Sequence, residues 1–307
     1  MSARAAKLPL LSPSLTTAAA DALPAGVPVI GGGPVATLFP GAAPAGQSGL
    51  FDLFRTESWL VGRAAAPVDD DLAAAVNRLY GELLLIAHGR HLCRIWNYVP
   101  RINAVGADGL ENYRAFSAGR SLAFERHFGR GFKRRLSASS AVGTTGERVE
   151  VVFAASSAVP RHFENPAQVP AYDYPPEHGP RPPSFSRATV VSTGDRADVF
   201  IAGTSAIKGH ETLAPGDTRA QLEITVDNLR LVSRVTGLGD DLGAGRCAAR
   251  HLKIYLRDAA DYPAVAAAFA GALGRPGDAV SYLRADICRA ALNVEIEAAV
   301  LGAALAG

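Results

Sequence analysis

The segment from Pro160 to Pro183 limits the fold more than any other part of the chain, because it holds eight prolines. Proline lacks a backbone N–H and fixes φ, so neither a helix nor a central strand can run through this segment. The segment is either a linker in polyproline conformation or a stiff loop that forms the wall of a binding site. Tyrosine, histidine and arginine side chains are interleaved with the prolines, which favours the site wall.

The sequences on the two sides of this segment follow the same pattern. Helical periodicity leads to the strand patterns His91–Pro100 and His251–Asp258, and each strand is followed by a second helix and another strand. The pattern predicts a duplicated β–α–β–α–β unit, with a ligand cleft between two α+β halves. Four helices are predicted. One begins at Asp69–Asp71, and the other three span Leu110–Phe128, Asp217–Thr236 and Tyr262–Leu273.

The end of the chain reads as a β-hairpin formed by Tyr282–Arg289 and Leu292–Ala298. Residues alternate along the second arm, so Glu295 and Glu297 share one face and the apolar residues between them share the other. Cys288 stands seven residues before Glu295, and strand pairing can bring the two side chains together. This pair is either a chemical site or a buried thiol beside a solvated carboxylate.

Composition excludes several classes of protein. An apolar fraction of 48% predicts a folded globular chain, and a net charge of +2 predicts no strong attraction to nucleic acid or membranes. Three widely spaced cysteines favour neither a disulfide framework nor a zinc site. With no secretory signal or apolar span in the sequence, we expect a cytoplasmic protein. The basic run Arg130–Arg135 is interpreted as a solvated face.

The second half resembles the YjgF/RidA family. His251–Asp258 is similar to a strand of that family, and Val294–Ala298 is similar to its terminal strand. In that family the first glutamate of the terminal strand lines the ligand site, which singles out Glu295 over Glu297. The family's substrate-binding arginine has no counterpart near Val280–Tyr282. This departure argues against the imine-deaminase activity of the small family members.

A longer series of sequence strings resembles the chorismatase family: Arg94–Asn103, Gly109–Arg120, Glu164–Pro175, Gly179–Arg187, Gly203–Glu211 and Ala285–Arg289. The resemblance implies an α+β fold of two tandem YjgF/RidA-like (chorismate-mutase-like) domains, with mixed sheets and helices packed on one face of each. We expect an N-terminal domain over residues 1–160, with an Ala/Pro/Gly-rich leader, and a C-terminal domain over residues 161–307 that carries the active site.

The resemblance also implies an activity. Chorismatases cleave the enolpyruvyl ether of chorismate, and we expect 3-hydroxybenzoate and pyruvate as products. A hydrolytic chorismatase, which leaves a dihydroxycyclohexadienoate, is the nearest alternative, and a non-catalytic RidA-like protein that binds a small carboxylate is another. No metal or organic cofactor is expected, and the sequence has no dinucleotide or phosphate loop. We expect a monomer, because the second half replaces a neighbouring subunit.

The resemblance assigns the site residues. Glu295 is the candidate general acid, and Cys288 is the residue expected to steer aromatisation. Arginine binds a carboxylate in two places, so the arginines in or beside the family-like strings are candidates for the two carboxylates of chorismate. Individually they can also be ordinary ion pairs, Arg120 with Glu125 and Arg257 with Asp258. The full set of candidates for substrate binding is Arg120, Arg187, Arg257, Arg289, Tyr172 and Ala206. Tyr172 can instead pack against the prolines, and the size of Ala206 is expected to control the access of water.

Overall fold

A computed structural model of the chain describes residues 20–68, 71–106 and 109–306. The first half contains β1 (Val29–Gly32), β2 (Ala43–Ser48), β3 (Phe51–Arg55), β4 (Trp59–Pro67), α1 (Leu72–Ile86), β5 (His91–Pro100), α2 (Asn112–Phe128), β6 (Ala138–Thr144) and β7 (Arg148–Ser156). The second half contains β8 (Arg161–Phe163), β9 (Ala188–Thr193), β10 (Arg196–Thr204), β11 (Ile207–Lys208), β12 (Glu211–Thr212), α3 (Thr218–Val235), β13 (Ala249–Leu256), α4 (Tyr262–Ala272), β14 (Ala279–Arg284) and β15 (Val294–Ala303).

The first sheet has the strand order β2-β3-β4-β7-β5-β6, in which only β5 and β6 are parallel. Helices α1 and α2 cover one face and bury an apolar stripe that includes Leu79 and Leu83. The carboxylate of Asp71 accepts the N–H of Ala74 and caps α1; Asp69 and Asp70, also expected at this helix start, lie outside the described residues.

The second sheet repeats this arrangement. Its order is β1-β14-β13-β15-β10-β9-β8, in which β13 and β14 are parallel, as β5 and β6 are. The run β10-β15-β13-β14 matches β4-β7-β5-β6 in both order and direction. Helices α3 and α4 cover one face. The repeat confirms the predicted duplication and the α+β fold class with helices on one face of each mixed sheet.

The predicted closing hairpin is wrong. Both of its arms are strands, but β13 lies between them: Ile254 pairs with Tyr282 of β14 on one side and with Ile296 of β15 on the other. A parallel β13–α4–β14 crossover places β14 on one edge of β13 and leaves the other edge for β15. The alternation of β15 is confirmed, since Val294, Ile296 and Ala298 pack in the core beneath α3 and α4.

The faces without helices pack against each other. Apolar residues of both sheets form one intersheet core, where the rings of Trp59 and Phe200 meet edge to face with centroids 5.6 Å apart. Glu295 and Glu297 of β15 point away from the helices and are 3% and 4% exposed. A domain boundary at residue 160 falls between β7 and β8 and stays a prediction. One strand from before it, β1, pairs with β14 in the second sheet. No helix in the described ranges combines the length and the hydropathy that crossing a bilayer requires.

Candidate active site

A cavity of about 310 Å³ lies where the two halves meet. Its walls come from α2 and β6 of the first half and from the end of β10, the start of β15 and the β14–β15 connection of the second. Tyr174, His178 and Pro183 complete the lining, so the proline-rich segment forms one wall. Four arginines and two glutamates also line the cavity, namely Arg114, Arg120, Arg187, Arg289, Glu111 and Glu295.

Glu295 is the acidic group most altered by its surroundings in this cavity. Burial raises the pKa of its carboxyl to about 8, with a further increase from Glu297, against the opposing effects of Arg94 and Arg187. The Oε1 atom is buried and has no hydrogen-bond partner among the described residues. Glu295 is therefore largely protonated at neutral pH and can donate a proton to a molecule in the cavity.

Glu297, two residues along the same strand, is an ionised carboxylate. It accepts hydrogen bonds from the guanidinium of Arg94 (2.6 Å), the indole N–H of Trp96 (2.9 Å) and the hydroxyl of Ser140, and its Oε1 lies 3.1 Å from Lys253 Nζ. Burial acts to raise its pKa, but the charges of Lys253 and Arg94 outweigh burial and hold the pKa below its usual value. Two neighbouring carboxyl groups thus have opposite protonation states, as in sites of acid–base chemistry.

Gly203 leaves the space that the Glu295 carboxyl occupies. A Cβ atom at this position would lie 2.0 Å from Glu295 Oε1, so a larger residue would displace the carboxyl. The N–H of Gly203 donates to the Ser140 hydroxyl at 3.1 Å, and that hydroxyl also contacts Glu297 and Arg94. Contacts of β6, β10 and β15 thereby fix the position of the Glu295 carboxyl.

Two buried arginines present unpaired donors. Arg120 and Arg187 are 2% and 4% exposed, yet Nε and Nη2 of Arg120 and Nε of Arg187 have no hydrogen-bond partner in the described parts of the chain. Arg187 donates through Nη2 to the Tyr174 hydroxyl at 2.8 Å. An unsatisfied buried donor costs about 1–3 kcal/mol, so an anion in the cavity would relieve a real penalty.

The alternative interpretation of Arg120 as a surface charge is wrong. Glu125 instead pairs with Arg181 at 2.7 Å, and the Arg120 guanidinium lies 5.3 Å from the centre of the Tyr80 ring. Arg289 also lines the cavity, where it donates to the carbonyl of His210 at 2.8 Å and lies over the Tyr174 ring.

Cys288 lines the cavity as a neutral thiol. Burial, followed by the nearby Glu295, raises the pKa of its thiol to about 12. A thiol of this kind is a poor nucleophile but a well-packed apolar group. Cys288 in the β14–β15 connection and Glu295 at the start of β15 thus reach the same cavity, although β14 and β15 do not pair.

Three of the residues expected to bind substrate stand outside the described lining of the cavity. Arg257 is held by Asp286 at 3.0 Å and by the carbonyls of Leu292, Ile287 and Arg289, so it fixes the β14–β15 connection. Ala206 is fully buried in a small apolar cluster, and its neighbours Ser205 and Ile207 reach the cavity. Tyr172 packs against the apolar core beneath α1 and α2, and Tyr174 lines the cavity in its place.

Sequence reasoning did not identify Ser140, Gly203 or the part played by Glu297. Gly203 begins one of the family-like strings, which was an available signal. Ser140 lies in β6, and nothing in its local sequence marks it. Its contacts with Glu297 and Gly203 join residues that are far apart in the chain.

Comparison with known proteins identifies the family. A family model described as "Chorismatase FkbO/Hyg5-like, N-terminal" matches residues 39–155. The chain is 38% identical over 219 residues to a 3-hydroxybenzoate synthase of Streptomyces hygroscopicus, an alignment that covers 68% of this chain and 63% of the relative. It is also 38% identical over 256 residues to a chorismatase of Streptomyces rapamycinicus, covering 80% of this chain and 75% of that protein.

A solved structure agrees with these sequence matches. A chorismatase crystal structure at 1.08 Å resolution superposes with a TM-score of 0.76 and 33% identity, covering 84% of this chain and 80% of that one. Because it covers 84% of this chain, the superposition includes residues of both halves. Sequence identity and three-dimensional similarity of this extent, with the tandem fold described above, show that the chain belongs to the chorismatase family.

Proposed function

We propose that this protein cleaves the enolpyruvyl ether of chorismate and releases 3-hydroxybenzoate and pyruvate. The observation that carries the proposal is the buried, protonated Glu295 in a cavity that also holds unpaired donors of Arg120 and Arg187. Chorismate bears two carboxylates, and these donors match a dianionic substrate. The names of the relatives support the same substrate and product.

Ether cleavage begins at the methylene carbon of the enolpyruvyl group. Glu295 gives its proton to this carbon, which becomes the methyl group of pyruvate, and the positive charge develops on the carbon bonded to the ether oxygen. Water can add to that carbon, after which the hemiketal collapses to pyruvate and a dihydroxycyclohexadienoate. If the neighbouring ring hydroxyl adds to that carbon instead, a cyclic ketal forms. Loss of the ring proton on the ether-bearing carbon then breaks the other ring C–O bond and aromatises the ring. The remaining hemiketal collapses to 3-hydroxybenzoate and pyruvate, whose carbonyl oxygen comes from the ring hydroxyl, with no net uptake of water.

The direct experiment is to incubate the protein with chorismate and identify the products by chromatography and mass spectrometry. We expect equal amounts of pyruvate and 3-hydroxybenzoate. Pyruvate with a non-aromatic dihydroxy acid would retain the family reaction but contradict the assigned product. No consumption of chorismate would contradict the proposal and favour the binding-protein alternative.

Cys288→Ala is expected to change the product more than the rate. The neutral thiol occupies the cavity beside Glu295, and its removal makes room for water at the reacting carbon. The non-aromatic dihydroxy acid should become the main product, while total pyruvate release stays within about tenfold of the wild type because the general acid is untouched. Chromatography of the products measures the ratio, and an unchanged ratio would remove Cys288 from product control.

The dependence of kcat/KM on pH should report Glu295. The acid is active when protonated, so activity is full below its pKa of about 8 and falls tenfold per pH unit above it. Stability should also fall as pH rises, but between about 4.5 and 8, because in this range the folded state holds a proton on Glu295 that the unfolded chain has lost. Initial rates between pH 6 and 10 test this, and a rate that rises through this range would contradict an acid role.

Gly203→Ala should impair catalysis without unfolding the protein. The added methyl group overlaps Glu295 Oε1, and the carboxyl must turn away from its position. Moving the acid by about 1 Å is expected to lower kcat by about 10²-fold. Gly271→Ala is a matched control, since its Cβ meets no atom within 4 Å. Wild-type turnover by Gly203→Ala would show that the position of the carboxyl is not critical.

We also propose that the protein acts as a monomer in a reducing compartment such as the cytoplasm. One chain supplies walls of the cavity from both halves, and Cys93, Cys247 and Cys288 are free thiols. Sedimentation should give the mass of one chain, and a trimer mass would contradict the monomer.

A further inference from the structure

A second cavity, of about 430 Å³, shares no lining residue with the catalytic one among the described residues. It is formed by the C-terminal ends of α1 and α2, the loop that follows α2, the start of β5 and the edge strand β8. Arg90, Arg134 and Arg135 line it together with four of the chain's seven histidines. None of the described residues that line it is acidic, and we call it the basic pocket.

The positive charge of the basic pocket is not balanced. None of its three arginines forms an ion pair with a carboxylate in the described ranges. Arg134 and Arg135 are exposed to solvent, whereas Nη1 of the half-buried Arg90 is itself buried and has no hydrogen-bond partner. The ends of α1 and α2 offer partial negative charge from their last carbonyl groups, which favours basic residues nearby. Partial charges at two helix ends do not neutralise three full charges, and they leave Arg90 Nη1 unpaired.

His162 lies in this pocket in a neutral state. Burial, with the adjacent His91 and Arg135, lowers the pKa of its imidazole to about 4. Its Nδ1 atom is 3.0 Å from the Thr189 hydroxyl, which fixes the orientation of the ring. A bound anion would oppose the effect of the neighbouring cations and raise this pKa.

The shape of the basic pocket indicates more than a bare inorganic ion. Its floor includes the buried apolar side chains of Leu84, Ala87 and Leu92. The Phe128 ring is 37% exposed, with the His127 ring edge-on at 4.6 Å and the Arg135 guanidinium at 6.0 Å. The site therefore combines several cationic groups with an apolar floor and an aromatic face.

We propose that the basic pocket binds a small organic anion that carries at least two negative charges, as carboxylate or phosphate, on a planar or apolar body. The expectation that the charged residues of Arg130–Arg135 form a solvated face is confirmed, since all four are exposed. Arg134 and Arg135 line the pocket, whereas Lys133 pairs with Asp173. The proposal does not depend on the reaction assigned to the other cavity.

Two probes test the proposal by calorimetry at low ionic strength: benzene-1,3-dicarboxylate, a dianion with a planar body, and inorganic pyrophosphate. We expect at least one of them to bind, and the doubly substituted Arg90→Gln/Arg135→Gln protein to bind it at least tenfold more weakly. Arg219→Gln, at an exposed position on α3, is the matched control and should bind like the wild type. Tighter binding of the dicarboxylate would support an anion with an organic body, and binding of pyrophosphate alone would contradict the planar or apolar body.

Anions can also enter the catalytic cavity, so a third variant separates the two sites. Binding at the basic pocket should survive Arg187→Gln. Binding that is lost in Arg187→Gln but kept in the double variant would place the probe in the catalytic cavity and overturn the proposal, as would the absence of binding by both probes. NMR titration of His162 should show its pKa rising when the probe is added. The double variant should retain chorismate turnover, because neither residue lines the catalytic cavity.

Discussion

Glu295→Gln is expected to lower kcat for chorismate by about 10³-fold, the usual contribution of a positioned general acid. Glutamine has nearly the shape of protonated glutamic acid but cannot give up a proton to carbon. The substrate should still bind, because the unpaired donors of Arg120 and Arg187 are untouched. Initial rates and calorimetry with chorismate measure the two effects separately.

The same substitution should not destabilise the protein at neutral pH. Folding wild-type protein at pH 7 requires Glu295 to take up a proton that the unfolded chain has released, because its pKa is about 8 in the folded state. Glutamine avoids this cost of up to about 3 kcal/mol. A Glu295→Gln protein that turns over chorismate normally would contradict the acid role. If neither the wild type nor Glu295→Gln turns over chorismate but the variant still binds it, the binding-protein alternative is supported.

Glu297→Gln is expected to reduce the free energy of unfolding by about 3–5 kcal/mol, because it leaves buried cations without their counter-charge. The side chains of Arg94 and Glu297 are 2% and 5% exposed, and Lys253 is 11% exposed. Glu223→Gln on the surface of α3 is the control, and its exposed pair with Arg219 should contribute less than about 1 kcal/mol. Urea denaturation of both variants measures the difference.

Glu297 should also affect the acid chemistry of its neighbour. Its charge helps to raise the pKa of Glu295, and without it the freed Arg94 acts more strongly in the opposite direction. The alkaline limb of the kcat/KM profile should therefore move to lower pH in Glu297→Gln. An unchanged profile and an unchanged stability would together show that the two carboxyl groups are not coupled.

The two strands at corresponding places in the two sheets differ in chemistry. β7 occupies in the first sheet the place of β15 in the second, yet it is apolar from Val151 to Ala155. The second half supplies the acid, and the first half supplies Arg120 and Ser140. The duplicated halves thus contribute different groups to one cavity.

Periodicity predicted the four helices and the strands β5, β13 and β15, but it predicted none of β1 to β4 and did not predict which strands pair. The helices and the faces of β15 follow from local apolar spacing, because burial of one face needs only short-range pattern. The pairing of β14 with β13, and not with β15, depends on the crossover through α4, which spacing within a strand does not reveal. Tyr172 and Tyr174 likewise could not be distinguished by sequence, since both stand among prolines and only the turn of the backbone puts Tyr174 in the cavity.

The resemblance located Glu295, but its environment required the structure. The raised pKa comes from burial between two sheets and from Glu297, and the space for the carboxyl comes from Gly203 on another strand. Arg257 lies in the right region of the sequence but is fully engaged by Asp286 and backbone carbonyls. Whether an arginine is free to bind a ligand depends on long-range contacts of this kind.

The most direct test of the account is a crystal structure of the Glu295→Gln protein with chorismate bound. The account predicts that the enolpyruvyl methylene carbon lies about 3.5 Å from the side-chain amide of residue 295, within reach for proton transfer. The two carboxylates should contact Arg120 and Arg187. Chorismate bound with its enolpyruvyl group turned away from residue 295, or outside this cavity, would contradict the central claim.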